Sequence, residues 1–341
     1  MEVRAIVLAA GKGTRMQTEL PKCALKVIDK PMAEYVADSL KKAGVEDIVT
    51  VVGYKRDVLE AILSGKTKFA HQEEQLGTAH AVLMAEPLFR DFQGMTLIAL
   101  GDMPMITPET YAKLIEHHAL TKADLTVLTT DHPRPGGYGR IVRNKNGEIV
   151  RIVEDRFCTE EQRKITEINS SVYLVDNQKL FSSIREIGND NSQKEYYLNE
   201  IVEIFRRKGY RVSVFKADDY QELSGANDLV QLSEMEKYLQ EKIIKKFLSS
   251  GVAIRRPETV VIGSEAEIEP GALILPGSII TGKCRIHKNA TVGPFVQVED
   301  SVIGEGANVS FAKIKASKVE DNAEVKFVEI IGNEITGRNL A

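Results

Sequence analysis

Unbroken apolar runs alternate with amphipathic stretches through the first 130 residues. The runs Ala5–Leu8, Ile48–Val52, Lys68–Ala70, Thr96–Leu100 and Leu125–Thr129 read as strands. Between them, helical spacing of apolar residues predicts helices over Met32–Ala43, Asp57–Leu63, Thr78–Ala85 and Pro108–Ala119. Strands that lack polar alternation are buried on both faces. The pattern therefore predicts an α/β, Rossmann-like domain with a mixed, mostly parallel sheet. Ligands of such sheets gather at the carboxyl ends of the strands. Beyond residue 130 the pattern changes. Asn146-Gly147 turns a hairpin made of Val142–Asn144 and Glu148–Val153, a strand follows over Val172–Val175, and Leu198 opens a helix through Phe205. Residues 131–225 are expected to form an inserted lobe.

Leu229, Leu232, Met235, Leu239, Ile243 and Phe247 then mark one face of a long helix, about 228–250, expected to act as an arm between two domains. From 251 to 341 the period is six. Ile262, Ile268, Ile274, Ile280, Ile286, Val292 and Val298 keep perfect register. The phase slips by one at Ile303 and Val309, then resumes at Val319, Val325 and Ile331. Hexads punctuated by Pro-Gly predict a left-handed parallel β-helix, with aliphatic residues on its axis and about three hexads per coil. Three segments follow from this: 1–227, the linking helix, and 251–341.

Composition removes several classes of function. The 341 residues are 43% apolar, enough for two cores. With 45 basic and 49 acidic residues the net charge is −4, so there is no basic footprint for nucleic acid. No apolar run is long enough to span a membrane, and the N-terminus lacks a signal-peptide pattern. Cys23, Cys158 and Cys284 lie far apart without metal-ligand spacing. A cytoplasmic protein of a reducing compartment is expected.

The candidate chemistry starts where the first strand stops, at Leu8-Ala9-Ala10-Gly11-Lys12-Gly13-Thr14-Arg15-Met16, with Pro21-Lys22 behind it. Gly11 and Gly13 let backbone amides approach phosphate oxygens, and Arg15 and Lys22 add fixed positive charge. The P-loop pattern G-x-x-x-x-G-K-[ST] is absent. Gly101-Asp102 ends another strand, where the carboxylate either holds Mg²⁺ or caps the next turn; beside the first motif, the metal reading is favoured. Gln72 can read a pyrimidine edge, and Gly77-Thr78 opens a helix with free amides. His80, His117 and His118 read as packed side chains.

The first motif resembles the start of the sugar-1-phosphate nucleotidyltransferases. Gln72-Glu73-Glu74-Gln75-Leu76-Gly77-Thr78-Ala79-His80 resembles the bacterial N-acetylglucosamine-1-phosphate uridyltransferases, the GlmU family. So do Gly137-Tyr138-Gly139-Arg140-Ile141, Val153-Glu154, Glu161-Gln162-Arg163, Glu167-Ile168-Asn169 and Glu195-Tyr196-Tyr197-Leu198. The resemblance implies a Mg²⁺-dependent transfer from UTP to a sugar-1-phosphate. It implies nucleotide contacts at Leu8, Ala9, Ala10, Gly11, Gly13, Lys22, Gln72, Gly77 and Thr78. Sugar contacts fall at Gly139, Glu154 and Asn169, metal ligands at Asp102 and Asn227, and transition-state charge on Arg15 and Lys22. Asn227 could equally cap the helix that follows it. A homotrimer is implied by relatives that pack three prisms side by side. Leu100, Ser170-Ser171 and Asn199 depart from the family pattern near the expected sugar pocket. The Arg-x-Arg-Pro-Gly, His-Leu-Thr-Tyr and Asn-Tyr-Asp-Gly runs that serve acetyl transfer are not found in these residues. The expected activity is therefore UDP-N-acetylglucosamine pyrophosphorylase alone. Transfer to glucose-1-phosphate, or non-catalytic binding of a nucleotide-sugar, are the alternatives.

Overall fold

The computed structural model describes residues 2–191, 193–332, 334, 335 and 338–340; for residue 14 and for those beyond 332 it describes the backbone alone. The chain divides into two units: Met1–Leu25 with Pro31–Leu232, and Lys26–Lys30 with Ser233–Ala341. No described helix is long and apolar enough to cross a membrane.

The first unit is built on one sheet. Across it the strands run in the order Val212–Ala217, Leu125–Asp131, Glu167–Asp176, Met95–Leu100, Val3–Leu8, Ile48–Val52, Lys68–His71. All neighbours are parallel except Glu167–Asp176, which runs antiparallel to both of its partners. Every residue of Ile48–Val52 is buried, as an unbroken apolar run in a central strand requires. Helices Met32–Lys42, Arg56–Ile62, Thr78–Phe89 and Pro108–Thr121 connect the early strands. In parallel register Leu8 lies opposite both Val51 and Leu100. The strand ends at Ala9, Gly53, Gln72 and Gly101 therefore share one edge.

The expected inserted lobe at 131–225 is corrected here. Two of its strands, Glu167–Asp176 and Val212–Ala217, are laid into the central sheet. Nearly all of Glu167–Asp176 is buried, so it needs a partner on each side. Only the hairpin of Arg140–Arg143 and Ile149–Val153 grows outward, joined to the sheet at the Ile168–Arg140 pair. The antiparallel direction matters for the site. It sends the early residues of Glu167–Asp176, Asn169 among them, toward the Leu100-Gly101-Asp102 end of its neighbour.

The second unit is a parallel β-helix of three sheets. Its axis is filled by Ile262, Ile268, Ile274, Ile280, Ile286, Val292, Val298, Ile303, Val309, Ile314, Val319, Val325 and Ile330. Successive coils pair Ile262 with Ile280 and Val298, then Val298 with Ile314 and Ile330, so later coils are two residues shorter. That shortening corrects two sequence assignments. Ile314 points inward although no hexad predicted it. Ile330 rather than Ile331 continues the axis, since Ile331 is 56% exposed. The helix Leu229–Ser249 contributes Ile244 and Phe247 to this same core. Residues 26–30 also join it, with Asp29 accepting from the Gly282 N–H at 2.9 Å and Lys30 paired with Glu265 at 3.3 Å.

Along one corner of the prism, Phe295, Phe311 and Phe327 stack with ring centroids 5.8 and 5.0 Å apart. All three have left-handed backbones, with φ of 53°, 49° and 54°. One coil before them stands Gly277, where a Cβ would lie 2.6 Å from the Phe295 ring. The ladder is exposed to solvent.

The shortened coil makes a direct prediction. Ile314→Ala should destabilise the β-helix by about 2–5 kcal/mol, as loss of a buried aliphatic side chain does. Ile331→Ala should stay within about 0.5 kcal/mol. Calorimetry of the β-helix transition in the two variants separates the residues. Equal shifts would overturn the assigned register.

Candidate active site

The loop after Val3–Leu8 brings charge to the sheet edge. Gly11 has nothing within 4 Å of where a Cβ would stand, so its backbone is open to a ligand. Gly13 has φ 64°, and a Cβ there would lie 2.6 Å from Cβ of Lys22. Glycine is thus required for Lys22 to reach inward. The Lys22 ammonium donates to Asp102, and to Asn227 Oδ1 at 3.1 Å. Arg15 Nη2 donates to the same Asn227 oxygen at 3.0 Å. Four residues from three distant stretches therefore meet at one point, as the sequence proposed. Asp102 and Asn227 turn their oxygens toward a shared cation, here an ammonium. Two hard oxygen donors of this kind fit Mg²⁺, which takes few protein ligands and completes its shell from water and phosphate. Among the described residues no group of three or more His, Cys, Asp or Glu forms a protein cage for a metal.

Beside this loop, Gly101 packs closely against Ala9, Cys23 and Leu8 O, and its N–H donates to Leu8 O at 2.9 Å. Burial pushes the Cys23 thiol far up, with the Asp102 charge adding to the effect, so it packs as a neutral side chain. All three cysteines are buried and free.

The next strand ends form a second pocket wall. A Cβ on Gly53 would stand 3.0 Å from Cβ of Ala10 and 2.8 Å from Gln72 O, so these backbones touch. The Gln72 side chain is only 3% exposed. Its Nε2 donates to Gly77 O at 3.2 Å and meets His80 Nδ1 at 3.0 Å. A carbonyl can only accept, so Gly77 O fixes which end of the amide is nitrogen. Both amide hydrogens are then used, and Oε1 remains as an acceptor. His80 is thus neither inert nor catalytic: it orients Gln72. Sequence reasoning missed this role, although the eight-residue separation on a Gln-to-helix turn was visible.

Gly77 serves packing more than phosphate. At φ 111° its Cβ would lie 2.6 Å from Tyr196 O. Thr78 Oγ1 accepts from the Leu198 N–H at 2.9 Å. Together they pin the 195–198 segment against the loop that carries Gln72. The other two histidines are structural. His118 bonds Thr126 Oγ1 at 2.8 Å, and burial pulls its pKa down to about 4. His117 bonds Ser213 Oγ at 2.9 Å.

Gly139, Glu154 and Asn169 come together as expected. A Cβ on Gly139 would stand 3.4 Å from Glu154 Oε1 and 3.6 Å from Asn169 Cβ. The Gly139 carbonyl accepts from the Asn169 N–H at 2.8 Å. Glu154 opens on a cleft of about 310 Å³ whose walls include Phe157, Asn191, Tyr197 and Asn199. Asn199 Nδ2 donates to Glu154 Oε1 at 2.6 Å, a contact the sequence did not announce. Burial raises the Glu154 carboxyl above its ordinary range, against the pull of Arg156 and the Asn199 hydrogen bond.

That shift fixes the sign of a stability effect. A carboxyl raised in the fold keeps its proton longer there than in the unfolded chain. Its favourable contribution exists at low pH and disappears as pH rises through the raised value. Glu154→Gln removes the cost of the buried charge. The variant should melt higher than wild type at pH 8, and the gain should shrink as pH falls toward about 4, where an unfolded glutamate itself protonates. Thermal denaturation across that range checks it, and a constant offset would refute the burial argument.

Comparison with known proteins gives a concordant result. Residues 5–221 match the model of the MobA-like NTP transferase domain. The chain is 41% identical over 324 residues to the bifunctional protein GlmU of Caldanaerobacter subterraneus, covering 95% of this chain and 70% of that protein. It is 39% identical to GlmU of a Geobacillus species, over 96% of this chain and 75% of that one. GlmU of Acholeplasma laidlawii is 36% identical over the full chain and 81% of its own length. With that identity over that span, the chain belongs to the GlmU family and is a sugar-1-phosphate nucleotidyltransferase.

Proposed function

We propose that this chain joins UTP and N-acetylglucosamine-1-phosphate to give UDP-N-acetylglucosamine and pyrophosphate. The observation that carries this reading is the meeting of Arg15, Lys22, Asp102 and Asn227 at one point on the sheet edge. Two polyanions must approach each other, so the barrier is largely electrostatic. The sugar phosphate is already an anion at neutral pH and needs no general base. Its oxygen forms a bond to the α-phosphorus as the bond to the departing pyrophosphate breaks. Arg15 and Lys22 offset charge on the transferring and leaving groups, and the Gly11 backbone lies open beside them. Mg²⁺, when bound by Asp102 and Asn227, supplies charge neutralisation between the two substrates.

The base follows from Gln72. With both amide hydrogens held by Gly77 and His80, Oε1 accepts the N3–H of uracil. Cytosine presents a lone pair at that position and would face another. The sugar reading rests on the clustering of Gly139, Glu154 and Asn169, of which Glu154 lines the cleft. Three buried free thiols suit a reducing cytoplasm.

We further propose a homotrimer joined through the β-helix. Phe295, Phe311 and Phe327 form an exposed apolar corner, which monomers seldom leave uncovered as a continuous patch.

A panel of nucleotides and sugar phosphates, read by pyrophosphate release, tests the reaction. UTP with N-acetylglucosamine-1-phosphate should be the best pair. Asp102→Asn should lower its rate by about 10²–10⁴-fold, the scale of a main electrostatic contact. A preference for glucose-1-phosphate would replace the sugar, and binding without turnover would make the chain a nucleotide-sugar binder.

Phe311→Asp tests the assembly. Aspartate tolerates the left-handed backbone at this position, so the variant keeps its fold. Light scattering should show the trimer dissociating with little change in melting temperature. An unchanged trimer would place the interface elsewhere.

A further inference from the structure

Gly139 and Glu154 stand where a hairpin leaves its ladder. Where Arg140–Arg143 pairs with Ile149–Val153, Arg140 lies opposite Val153, and that pair is the last at this end. Gly139 is the residue before it and Glu154 the residue after it. Both therefore lie one step beyond the regular backbone pairing. Chain ends that leave a ladder fray unless other contacts hold them. The Gly139 carbonyl is held by the Asn169 N–H, and the Glu154 carboxylate by Asn199. Each of these contacts holds one strand exit from outside the hairpin.

The Arg140 side chain reaches both exits at once. Its Nη1 donates to the Tyr138 carbonyl, next to Gly139. Its Nη2 donates to Asp155 Oδ1 at 2.8 Å, next to Glu154. A planar guanidinium has its donors in fixed directions, so it sets the separation of two acceptors as a flexible ammonium does not. The arrangement is costly to the fold. Arg140 is 2% exposed, and its Nε has no protein acceptor. A buried ion pair of this kind is commonly no more stabilising than an apolar side chain of similar volume. The geometry that Arg140 imposes accounts for its place between two strand exits better than stability does.

We propose that Arg140 is a positioning residue for the sugar phosphate: its guanidinium ties the two strand exits together and so fixes the separation of Gly139 and Glu154. This deepens the reading of the sugar site and rests on it. Arg140 acts through its neighbours and touches no reacting atom. Without the tie, each exit keeps only its outside contact. A rigid sugar ring then no longer meets both residues in one geometry, and binding weakens.

The test uses the intact protein with UTP and N-acetylglucosamine-1-phosphate. Arg140→Met removes the tie and the buried charge together, so the melting temperature should hold or rise. KM for the sugar phosphate should nevertheless rise roughly tenfold, the low end for one hydrogen bond to a charged group. KM for UTP should stay within about twofold, and kcat should fall less than the sugar KM rises, because contacts made in the ground state are what is lost. Arg140→Lys keeps a charge for Asp155 but cannot span both acceptors, and it should raise the same KM if the methionine variant does not fold. Asp155→Ala cuts the tie from its other end and should also raise that KM, at a cost in melting temperature because it leaves the buried charge unpaired. Adding Asp155→Ala to Arg140→Met should raise the KM no further, since one tie is cut only once.

An unchanged sugar KM in Arg140→Met, or in Arg140→Lys where that is the variant measured, would overturn the proposal and leave Arg140 as packing. Equal rises in both KM values would overturn it as well, and so would effects of Arg140→Met and Asp155→Ala that simply multiply. If the wild type takes another sugar phosphate, the functional reading falls separately, and the same variants measured with that substrate still decide the role of Arg140.

Discussion

One ammonium group ties the charged edge of the central sheet together. Lys22 lies against Asp102 and within hydrogen-bond reach of Asn227, and Arg15 shares the Asn227 oxygen. These residues come from the first loop, the end of a central strand, and the segment before the last long helix. The Lys22 and Asp102 side chains are only partly exposed, so their charges interact more strongly than on an open surface, while Arg15 lies exposed beside them. The arrangement depends on small local choices. Glycine at 13 clears the path of Lys22, and glycine at 101 lets the neighbouring strand end close against Ala9 and Cys23. A side chain at 13 would collide with Lys22, and one at 101 would press on Ala9 and Cys23.

The same edge shows why a mixed sheet suits two substrates. Parallel strands deliver Ala9, Gln72 and Asp102 from their carboxyl ends. A strand running the other way delivers residues from its beginning, which is how Asn169 arrives beside Gly139 and Glu154. Residues from opposite chain directions thus meet on one surface. Hydrogen-bond accounting then gives each pocket its character. Gln72 and Asn169 are both buried amides whose hydrogens are held by protein acceptors. In each, the carboxamide oxygen keeps accepting capacity.

Much of this was legible in the sequence because it follows from periodicity and turn chemistry. The strand Ile48–Val52 and the start of the helix at Thr78 were read to the residue. That helix runs on to Phe89 past Pro87, where a proline in the last turn makes sequence reasoning stop early. Arg15, Lys22, Asp102 and Asn227 were named from motif and resemblance, and they converge. The contacts that tune the pockets were not legible. Asn199 on Glu154 and Ser171 on Asn169 depend on how a distant segment or an irregular strand comes to rest, and no spacing rule encodes them, whereas His80 on Gln72 is a local contact whose spacing was visible but not read. The inserted lobe failed for a related reason. A hairpin signal followed by a strand does not reveal which sheet that strand joins.

The β-helix shows a different limit on reading by period. Hexads hold while each coil has three equal sides. When a coil shortens, the axis residue moves by one, and Ile314 and Ile330 take places a fixed period would not give them. Shortening also moves a corner. Phe295, Phe311 and Phe327 stand at successive turns of the chain with left-handed backbones, where glycine would be the easier choice and where Gly277 stands one coil earlier. Three phenylalanines in such positions gain little from their own fold, since their rings face solvent and touch mainly each other. Burial against another surface would offset that cost. The column of rings along the prism is a flat seam parallel to its axis, and a second prism laid alongside can bury it over its whole length.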